Sequence, residues 1–375
     1  MGDYSGKSRL RSYLDPGVVG LSTAIRALEA GFDVTIFAEI FPADKKSIKY
    51  TSCWAGADHI SATTSNALQH RLERETFTVF SESLKKDPLI PIMMCPHTEY
   101  AEALHPDDDQ KRRDYHSKYY PKYRDLEPSE LPEGVVRGAS FSTFHVDVPR
   151  YLPYLMDRFL SLGGRAFRVT LPSLSVLLSE ETRPALTAFP STSVSTPPTF
   201  EPAVVINCTG IGALSIGDVL DSNIYPTRGE VLIIRAPWVD HGSTYYYKDG
   251  HTSYIIPRQS GDVVLGGTFQ ADDWHPNSRP ETVKLIKERG LKAYPELLPA
   301  HKRDTGGVAD LDVVEECVGL RPTRKGGVRL EIEHLSLANK TIPIVHNYGH
   351  GGAGYQSSWG SANLAVELLQ SAVNA

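Results

Sequence analysis

Glycines spaced for phosphate binding stand near the start of the chain, in Gly17-Val-Val-Gly20. In a dinucleotide-binding turn, one glycine lets the backbone approach the pyrophosphate, and the next lets the helix pack on a strand. Glu39 follows about twenty residues later, where an acid meets a ribose hydroxyl. Asp15 replaces the first glycine of the motif, and Pro16 removes an amide that could face a phosphate. The stretch predicts a dinucleotide site of altered form, with an ordinary loop before a helix as the alternative.

A second glycine-rich stretch, HNYGHGGAGYQSSWG at residues 346–360, contains five glycines at the junction of a strand and a helix. Such a density of glycine allows a ring system to lie against the backbone. The positive N-terminus of the following helix would stabilise negative charge there. Apolar residues bracket the stretch and argue against a mobile loop. We interpret His346 and His350 as structural rather than catalytic.

A restrained arginine occurs in GLRPTRKGG, at residues 319–327. Arg321 directly precedes Pro322, which restricts the backbone of the arginine. A guanidinium held in this way can bind a carboxylate through two parallel hydrogen bonds. A structural salt bridge is the alternative.

Two further stretches, YTSCWAGADH (50–59) and VVINCTGIGA (204–213), place small residues beside a Trp and at the end of a buried strand. Both patterns suit a backbone lying against a cofactor. Taken alone, both also suit ordinary turns.

Composition excludes several classes of partner. The net charge is −6 without basic blocks, which argues against nucleic acid. The apolar runs are shorter than the roughly 18 residues of a membrane span, and the N-terminus does not read as a secretory signal. The four cysteines are far apart and form no metal-binding pattern, so we expect free thiols and no metal.

The elements expected to position these residues alternate in type along the chain. A helix over 20–31 and a strand over 33–38 form the second half of a βαβ unit. The stretch before them, SRLRSYL, carries two arginines and two serines and does not resemble a buried parallel strand. Residues 95–135 are polar and interrupted by prolines, and we expect a surface excursion there. The order predicts a parallel-sheet domain built from three segments, with an antiparallel domain inserted.

Taken together, GVVGLSTA, WAGA, NCTG, SYIIPR, VVLGGTFQADDW, VGLRP and HNYGHGGAGYQSSWG resemble the D-amino-acid oxidase family, specifically its fungal members. The resemblance runs in order from about Pro16 to the C-terminal helix. It implies an α/β fold with a Rossmann-like FAD-binding domain, containing a parallel sheet, and an inserted antiparallel α+β substrate domain. The expected boundaries are 14–60, 146–222 and 312–375 for the FAD-binding domain, and 61–145 and 223–311 for the substrate domain.

The resemblance implies non-covalent FAD and oxidation of D-amino acids to imino acids, with O2 reduced to H2O2. Arg321 matches the arginine that pairs with the substrate carboxylate, and Tyr254 matches a tyrosine that touches the same group. Gln356 and Gly352 match positions beside the flavin and the substrate amine. The implied FAD-binding residues are Gly17, Val18, Val19, Gly20, Glu39, Thr51, Ser52, Trp54, Ala55, Gly56, Ala57, Val169, Cys208, Thr209, Gly210, Arg321, Gly351, Gly352, Ala353, Gly354, Tyr355 and Gln356.

Alternative functions stay open at this point. A D-aspartate oxidase would need a second cation, for which His59, Lys248 and Arg258 are candidates. A relic with weakened FAD binding follows if the first strand and first glycine are missing, for example through an altered first exon. An NAD-dependent dehydrogenase ranks last because it lacks the C-terminal glycine loop. A homodimer is left open, and the sequence SAVNA lacks a peroxisomal signal of the Ser-Lys-Leu type, which leaves cytoplasm or peroxisome.

Overall fold

A computed structural model describes residues 16–61, 66–104, 106–178, 186–190, 203–337 and 340–374. Its helices are α1 (Val18–Glu29), α2 (Ala67–Lys86), α3 (Pro106–Tyr119), α4 (Val148–Ser161), α5 (Pro280–Ala293) and α6 (Gly354–Asn374). Its strands are β1 (Thr35–Ala38), β2 (Ile92–Ala101), β3 (Arg124–Asp125), β4 (Arg137–Val146), β5 (Arg165–Arg168), β6 (Thr187–Phe189), β7 (Val205–Asn207), β8 (Ile224–Arg235), β9 (Gly242–Tyr246), β10 (Thr252–Pro257), β11 (Asp262–Gly266), β12 (Gln270–Ala271), β13 (Val313–Arg324), β14 (Arg329–Leu337) and β15 (Lys340–Tyr348). No helix in these residues is long and apolar enough to cross a membrane.

The chain divides into two compact units. The first unit comprises the described residues of Met1–Cys53, Leu152–Thr227 and Arg321–Ala375. The second unit comprises the described residues of Trp54–Tyr151 and Arg228–Leu320. The predicted α/β class is confirmed, since parallel pairs and a largely antiparallel sheet both occur. The assignment of cofactor and substrate to separate domains stays a prediction.

The first unit contains two short sheets, ordered β1-β5-β6 and β14-β15-β7. Each combines one parallel pair with one antiparallel pair. In the described part of the chain no strand joins the two sheets, so the predicted single parallel sheet is not continuous there. Both sheets share one core, to which Phe37, Phe167, Val205 and Ile344 contribute. The stretch predicted to be a poor first strand, residues 8–14, and Asp15 lie outside the described residues.

Helices α1 and α6 pack closely in the first unit because their facing residues are small. Ser22 donates a hydrogen bond to the carbonyl of Ser358 at 3.1 Å. Asn347, at the end of β15, donates to the hydroxyl of Thr23 at 3.0 Å. These buried polar contacts fix the start of α6 relative to the start of α1, the two glycine-rich positions of the sequence.

The second unit is built on a nine-stranded sheet with strand order β12-β8-β11-β10-β9-β2-β4-β3, and with β13 beside β8. Alternation along the strands sends different residues to its two faces. On one face, Ile255 and Leu265 form a core with Val283 and Ile286 of α5. The other face carries Tyr254, which the sequence analysis predicts to be a site residue, and its neighbours.

The predicted surface excursion over residues 95–135 is wrong. Most of β2 and helix α3 occupy this stretch, and β2 lies between β9 and β4 in the sheet. His97, Glu99 and His116 are buried although they are polar. They can be buried because each has a polar partner nearby, which a pattern of hydrophobicity does not reveal.

Candidate active site

The turn before α1 is held by contacts from the segment around Ser52. The amide of Val18 donates to Oγ of Ser52 at 3.1 Å, and the hydroxyl of Tyr50 donates to the carbonyl of Pro16 at 2.6 Å. A Cβ added to Gly17 would lie 2.8 Å from Oγ of Ser52. Glycine is therefore required at the turn by close approach rather than by a left-handed backbone.

The N-terminus of α1 is suited to an anion. Gly17 caps the helix without a side-chain hydrogen bond, and the first turn contains no acidic residue. The amides of this turn and the helix dipole together present positive charge. Pro16 has no backbone N–H to offer to an anion, as the sequence indicates. Its carbonyl accepts the hydrogen bond from Tyr50.

Glu39 and Val169 lie just beyond two neighbouring parallel strands, β1 and β5. The amide of Val169 donates to the carbonyl of Ala38 at 2.9 Å. The carboxylate of Glu39 pairs with Nζ of Lys49 at 2.7 Å, and the two side chains are 43% and 67% exposed. Because an exposed pair contributes little free energy, it would give way to a ribose at small cost. The ribose contact itself stays a prediction.

The end of β7 is fixed by Asn207, which the sequence analysis missed. Its Oδ1 accepts hydrogen bonds from the amide and hydroxyl of Thr209 at 3.1 and 2.7 Å. Its Nδ2 lies 3.1 Å from Nδ1 of the buried His346 on β15. Gly210 follows with φ of +55° and opens a short 3-10 helix. A polar residue in an otherwise apolar strand, as in VVINC, was the available signal. Cys208 is buried beside it.

The glycine-rich stretch at 346–360 connects β15 to α6. Gly351–Ala353 form a 3-10 helix, with φ of +55° at Gly351, and α6 begins at Gly354. A Cβ added to Gly352 would lie 3.4 Å from Cδ of Arg321. The stem of the arginine therefore lies against the backbone of this stretch, and the structure brings two predicted site residues together.

Other predicted residues of α6 connect to the same region. The hydroxyl of Tyr355 donates to the carbonyl of Ser52 at 2.9 Å. Gln356 is buried in the first turn of α6. The first unit thus gathers the turn at Gly17, the segment at Ser52 and the start of α6.

The surroundings of the two histidines in this stretch favour their neutral form. His346 is completely buried, and Nε2 lies 2.9 Å from a carboxylate oxygen of Glu333. Burial lowers the pKa of His346, and it lowers the pKa of His350 to about 4. This agrees with the structural role that the sequence predicts for both.

In the second unit, Tyr254 and the loop from Trp54 to Ala57 share one face of the sheet. A Cβ on Gly266 would overlap the ring of Tyr254, so the ring lies over that glycine. A Cβ on Gly56 would come within 2.6 Å of Cδ1 of Ile256. The loop therefore packs on the sheet, and the approach of its backbone to a cofactor ring stays a prediction.

The cations named for an acidic substrate occupy different surroundings. His59 packs among aromatic rings, and its Nε2 lies 2.9 Å from the carbonyl of Glu73. Nη2 of Arg258 donates to the carbonyl of Ala55 at 3.1 Å. Lys248 is exposed. The sequence analysis missed a further cation, Arg112 of α3, which pairs with Glu99 at 2.6 Å.

Comparison with known proteins identifies the family of this chain. The DAO family, described as FAD dependent oxidoreductase, matches residues 17–368. The chain belongs to this family. FAD is therefore its cofactor.

Two relatives of this family member come from fungi. A D-aspartate oxidase of Cryptococcus neoformans var. grubii is 34% identical, with 94% of each chain covered. A D-amino-acid oxidase of Schizosaccharomyces pombe is also 34% identical, covering 94% of this chain and 93% of the relative. The structure resembles glycine oxidase from Geobacillus kaustophilus with a TM-score of 0.70, covering 98% and 95% of the two chains. At 17% identity, that likeness concerns the fold.

The residues of the first unit fit FAD. A Cβ at Gly17 would crowd the hydroxyl of Ser52, and the first turn of α1 offers amides and contains no acidic residue. These amides would hold the pyrophosphate, while Glu39 and Val169 would lie beside the adenosine. The segment at Thr51 and Ser52 and the residues from Gly351 to Gln356 would lie along the ring system. The contacts of each residue with FAD stay predictions.

Proposed function

We propose that this DAO-family protein oxidises D-amino acids to imino acids, which water then converts to 2-oxo acids and ammonia, while O2 is reduced to H2O2. The observation that carries the proposal is the placement of Arg321. This residue lies in the GLRP stretch and packs against Gly352 at the start of α6. The two fungal relatives named above support the substrate class.

Arg321 would bind and orient the substrate carboxylate. Its guanidinium offers a planar pair of donors that matches the two carboxylate oxygens. Its stem is restrained by Gly352 on one side and by Pro322 in the chain. Such restraint reduces the freedom lost when substrate binds, and holding the reacting carbon in one orientation lowers the barrier.

Three other residues would complete the alignment. The hydroxyl of Tyr254 would donate to the carboxylate, and the carbonyl of Gly352 would accept from the amine. Gln356 would fix the substrate from the first turn of α6. FAD, when bound, would accept the hydride from Cα. No side-chain base is needed if the amine arrives neutral, because its lone pair then assists loss of that hydrogen.

A D-aspartate oxidase is the second candidate, and the relative from Cryptococcus favours it. The chemistry at Cα would be the same, and a second carboxylate would need a cation. We prefer uncharged substrates because the cation of α3, Arg112, is already paired with Glu99.

The experiment is a turnover assay on the FAD-loaded protein with D-alanine, L-alanine and D-aspartate. We expect H2O2 and a 2-oxo acid in equal amounts from D-alanine, and none from L-alanine. Turnover of D-aspartate without D-alanine would establish the second candidate. A folded protein that does not retain FAD would indicate the relic, and bound FAD without oxygen consumption on any D-amino acid would contradict the oxidase.

For the assembly and the cellular compartment of the protein we propose only coarse assignments. A homodimer and a location in cytoplasm or peroxisome are both consistent with the family. Gel filtration at two protein concentrations and microscopy of the tagged full chain test them.

A further inference from the structure

A row of three residues crosses the functional face of the sheet in the second unit. Glu99 of β2 pairs in register with Thr244 of β9, and Thr244 pairs with Tyr254 of β10. Residues paired in this way project to the same face, and neighbouring strands lie about 4.8 Å apart. A carboxylate therefore stands two strands away from the tyrosine that we place at the substrate.

The ring of Tyr254 leans away from this row. It lies over Gly266 of β11, on the opposite side of β10 from Thr244. The surface next to the tyrosine is thus formed by Thr244, whose hydroxyl lies 3.1 Å from Nε2 of the completely buried His97. Nδ1 of His97 is buried and has no hydrogen-bond partner in the part of the chain that the structure describes. This surface is polar and carries no net charge of its own.

A charge pair closes the far end of the surface. Nη2 of Arg112 donates to Oε1 of Glu99 at 2.6 Å, and Nε donates to Oε2 at 3.3 Å. The same guanidinium lies 4.8 Å from the ring centre of Tyr246 and donates to its hydroxyl. Nδ1 of His116 lies 3.5 Å from the other oxygen of Glu99.

The pair is shielded from water, and its charges cancel. The side chains of Arg112 and Glu99 are 16% and 5% exposed. Burial raises the pKa of Glu99, but Arg112 outweighs burial and holds that pKa well below its usual value. Burial also raises the pKa of Asp58 to about 6, and the nearby charge of Glu99 adds to the rise. Among these groups, a further negative charge would meet the carboxylates of Glu99 and Asp58 and the guanidinium of Arg112, which is already paired.

We propose that Glu99 determines substrate specificity by neutralising Arg112 beside a side-chain subsite formed by Thr244 and Tyr246. The proposal rests on the proposed function, which places the substrate at Tyr254. The subsite then accepts D-amino acids with uncharged side chains and rejects those with a second carboxylate. Glu99 acts through Arg112 and is a positioning residue, not a catalytic one.

The test compares wild type with Glu99→Gln, using kcat/KM for D-alanine and D-aspartate. Wild type should prefer D-alanine at least tenfold. E99Q keeps the shape of the side chain but frees the charge of Arg112, so the ratio of D-aspartate to D-alanine should rise at least tenfold. Glu102→Gln is the matched control, because Glu102 bonds instead to Tyr245 and to the amide of Lys248. It should leave the ratio unchanged.

A second readout does not depend on turnover. Malonate and acetate, a dicarboxylate and a monocarboxylate, are titrated against the FAD-loaded protein while its melting temperature is recorded. Malonate should raise the melting temperature of E99Q at concentrations at least tenfold lower than those that wild type needs. Acetate should raise the melting temperatures of both proteins at similar concentrations. If no D-amino acid is oxidised, the proposed function fails, and the malonate titration still decides the role of Glu99.

If E99Q does not fold, Glu99→Ala tests the same point, because it also removes the carboxylate that neutralises Arg112. E99A should bind malonate at concentrations at least tenfold lower than those that wild type needs. The double variant E99Q/R112M lacks the freed guanidinium and should show no such gain. Unchanged malonate binding in a folded Glu99 variant, a gain that persists in E99Q/R112M, an unchanged substrate ratio in folded E99Q, or a wild-type preference for D-aspartate would each overturn the proposal.

Discussion

Arg321 is the residue on which the proposed chemistry depends most. Lysine retains the charge but presents a single point instead of a planar fork. We expect Arg321→Lys to lower kcat/KM for D-alanine by roughly 30- to 1000-fold, which corresponds to about 2–4 kcal/mol of lost transition-state binding. Steady-state kinetics of the FAD-loaded variant measures this.

Arg324, on the same strand, provides the control for Arg321. Its Nε pairs with Asp221 at 2.7 Å, so we assign it a structural role. Arg324→Lys should change stability rather than kcat/KM. Similar kinetic losses in both variants would contradict the assignment of the carboxylate site to Arg321.

At the scale of single residues the sequence carries clear local signals, while the roles of these residues at FAD and substrate stay predictions. Gly17, Arg321 and Gly352 each carry a local signal, because a tight turn or a restrained guanidinium depends on the immediate sequence. Arg112 and Glu99 carry none. Their importance comes from pairing between a helix and a strand, and the sequence shows only two charged residues in a polar stretch.

Among the elements, the start of β8 contains a buried ion pair whose loss should be costly. Arg228 and Glu230 are completely buried at 2.7 Å from each other, and Oε1 of Glu230 also accepts from the amide of Arg279 at 3.0 Å. Glu230→Gln leaves the guanidinium without a counter-ion. We expect a loss of about 3–5 kcal/mol in the free energy of unfolding, measured by urea denaturation.

An exposed pair gives the contrast. Arg113 and Asp125 pair at 2.6 Å with side chains 42% and 41% exposed. Asp125→Asn should therefore change the unfolding free energy little. Equal losses from the two substitutions would show that burial does not govern these pairs.

Strands β2 and β4 should make stability sensitive to acid. Burial lowers the pKa of His97 to about 3 and the pKa of His145 well below its usual 6.5. In the unfolded chain both accept protons near pH 6.5, so stability is complete above that pH and falls as pH drops toward 3. Each neutral histidine contributes up to about 1.4 kcal/mol per pH unit in this window.

His145→Gln isolates one of these contributions. Its unfolding free energy should fall less steeply than that of wild type between pH 7 and pH 5. Asp58 acts in the opposite direction, because its raised pKa stabilises the fold as pH falls through 6. Both proteins contain Asp58, so its contribution does not account for a difference between their curves. Parallel curves would contradict a neutral, buried His145.

Element types were predicted well where one face of an element is apolar. Helix α1 and strand β1 follow from their patterns, with bounds within a few residues. The prediction of a surface excursion over residues 95–135 was wrong because β2 buries His97 and Glu99 against polar partners. Hydrophobic periodicity measures burial of apolar side chains only, so it reads such a strand as surface.

For the whole molecule, the order of motifs gave the fold class and the family, since close approach of backbone to a cofactor fixes glycine positions throughout the chain. The two short sheets of the first unit were not foreseen. The stretch before them, which does not resemble a buried strand, lies outside the described residues. Because we place the altered turn at Pro16 beside the pyrophosphate of FAD, tight binding of FAD is the central claim.

One measurement tests that claim most directly. The purified full chain is mixed with FAD and desalted, and its visible spectrum is recorded before and after anaerobic addition of D-alanine. We expect retained flavin absorbance that bleaches with D-alanine and returns when air is admitted. A folded protein, judged by circular dichroism, that emerges colourless would contradict FAD binding by this chain, and retained colour that no D-amino acid bleaches would contradict the oxidase.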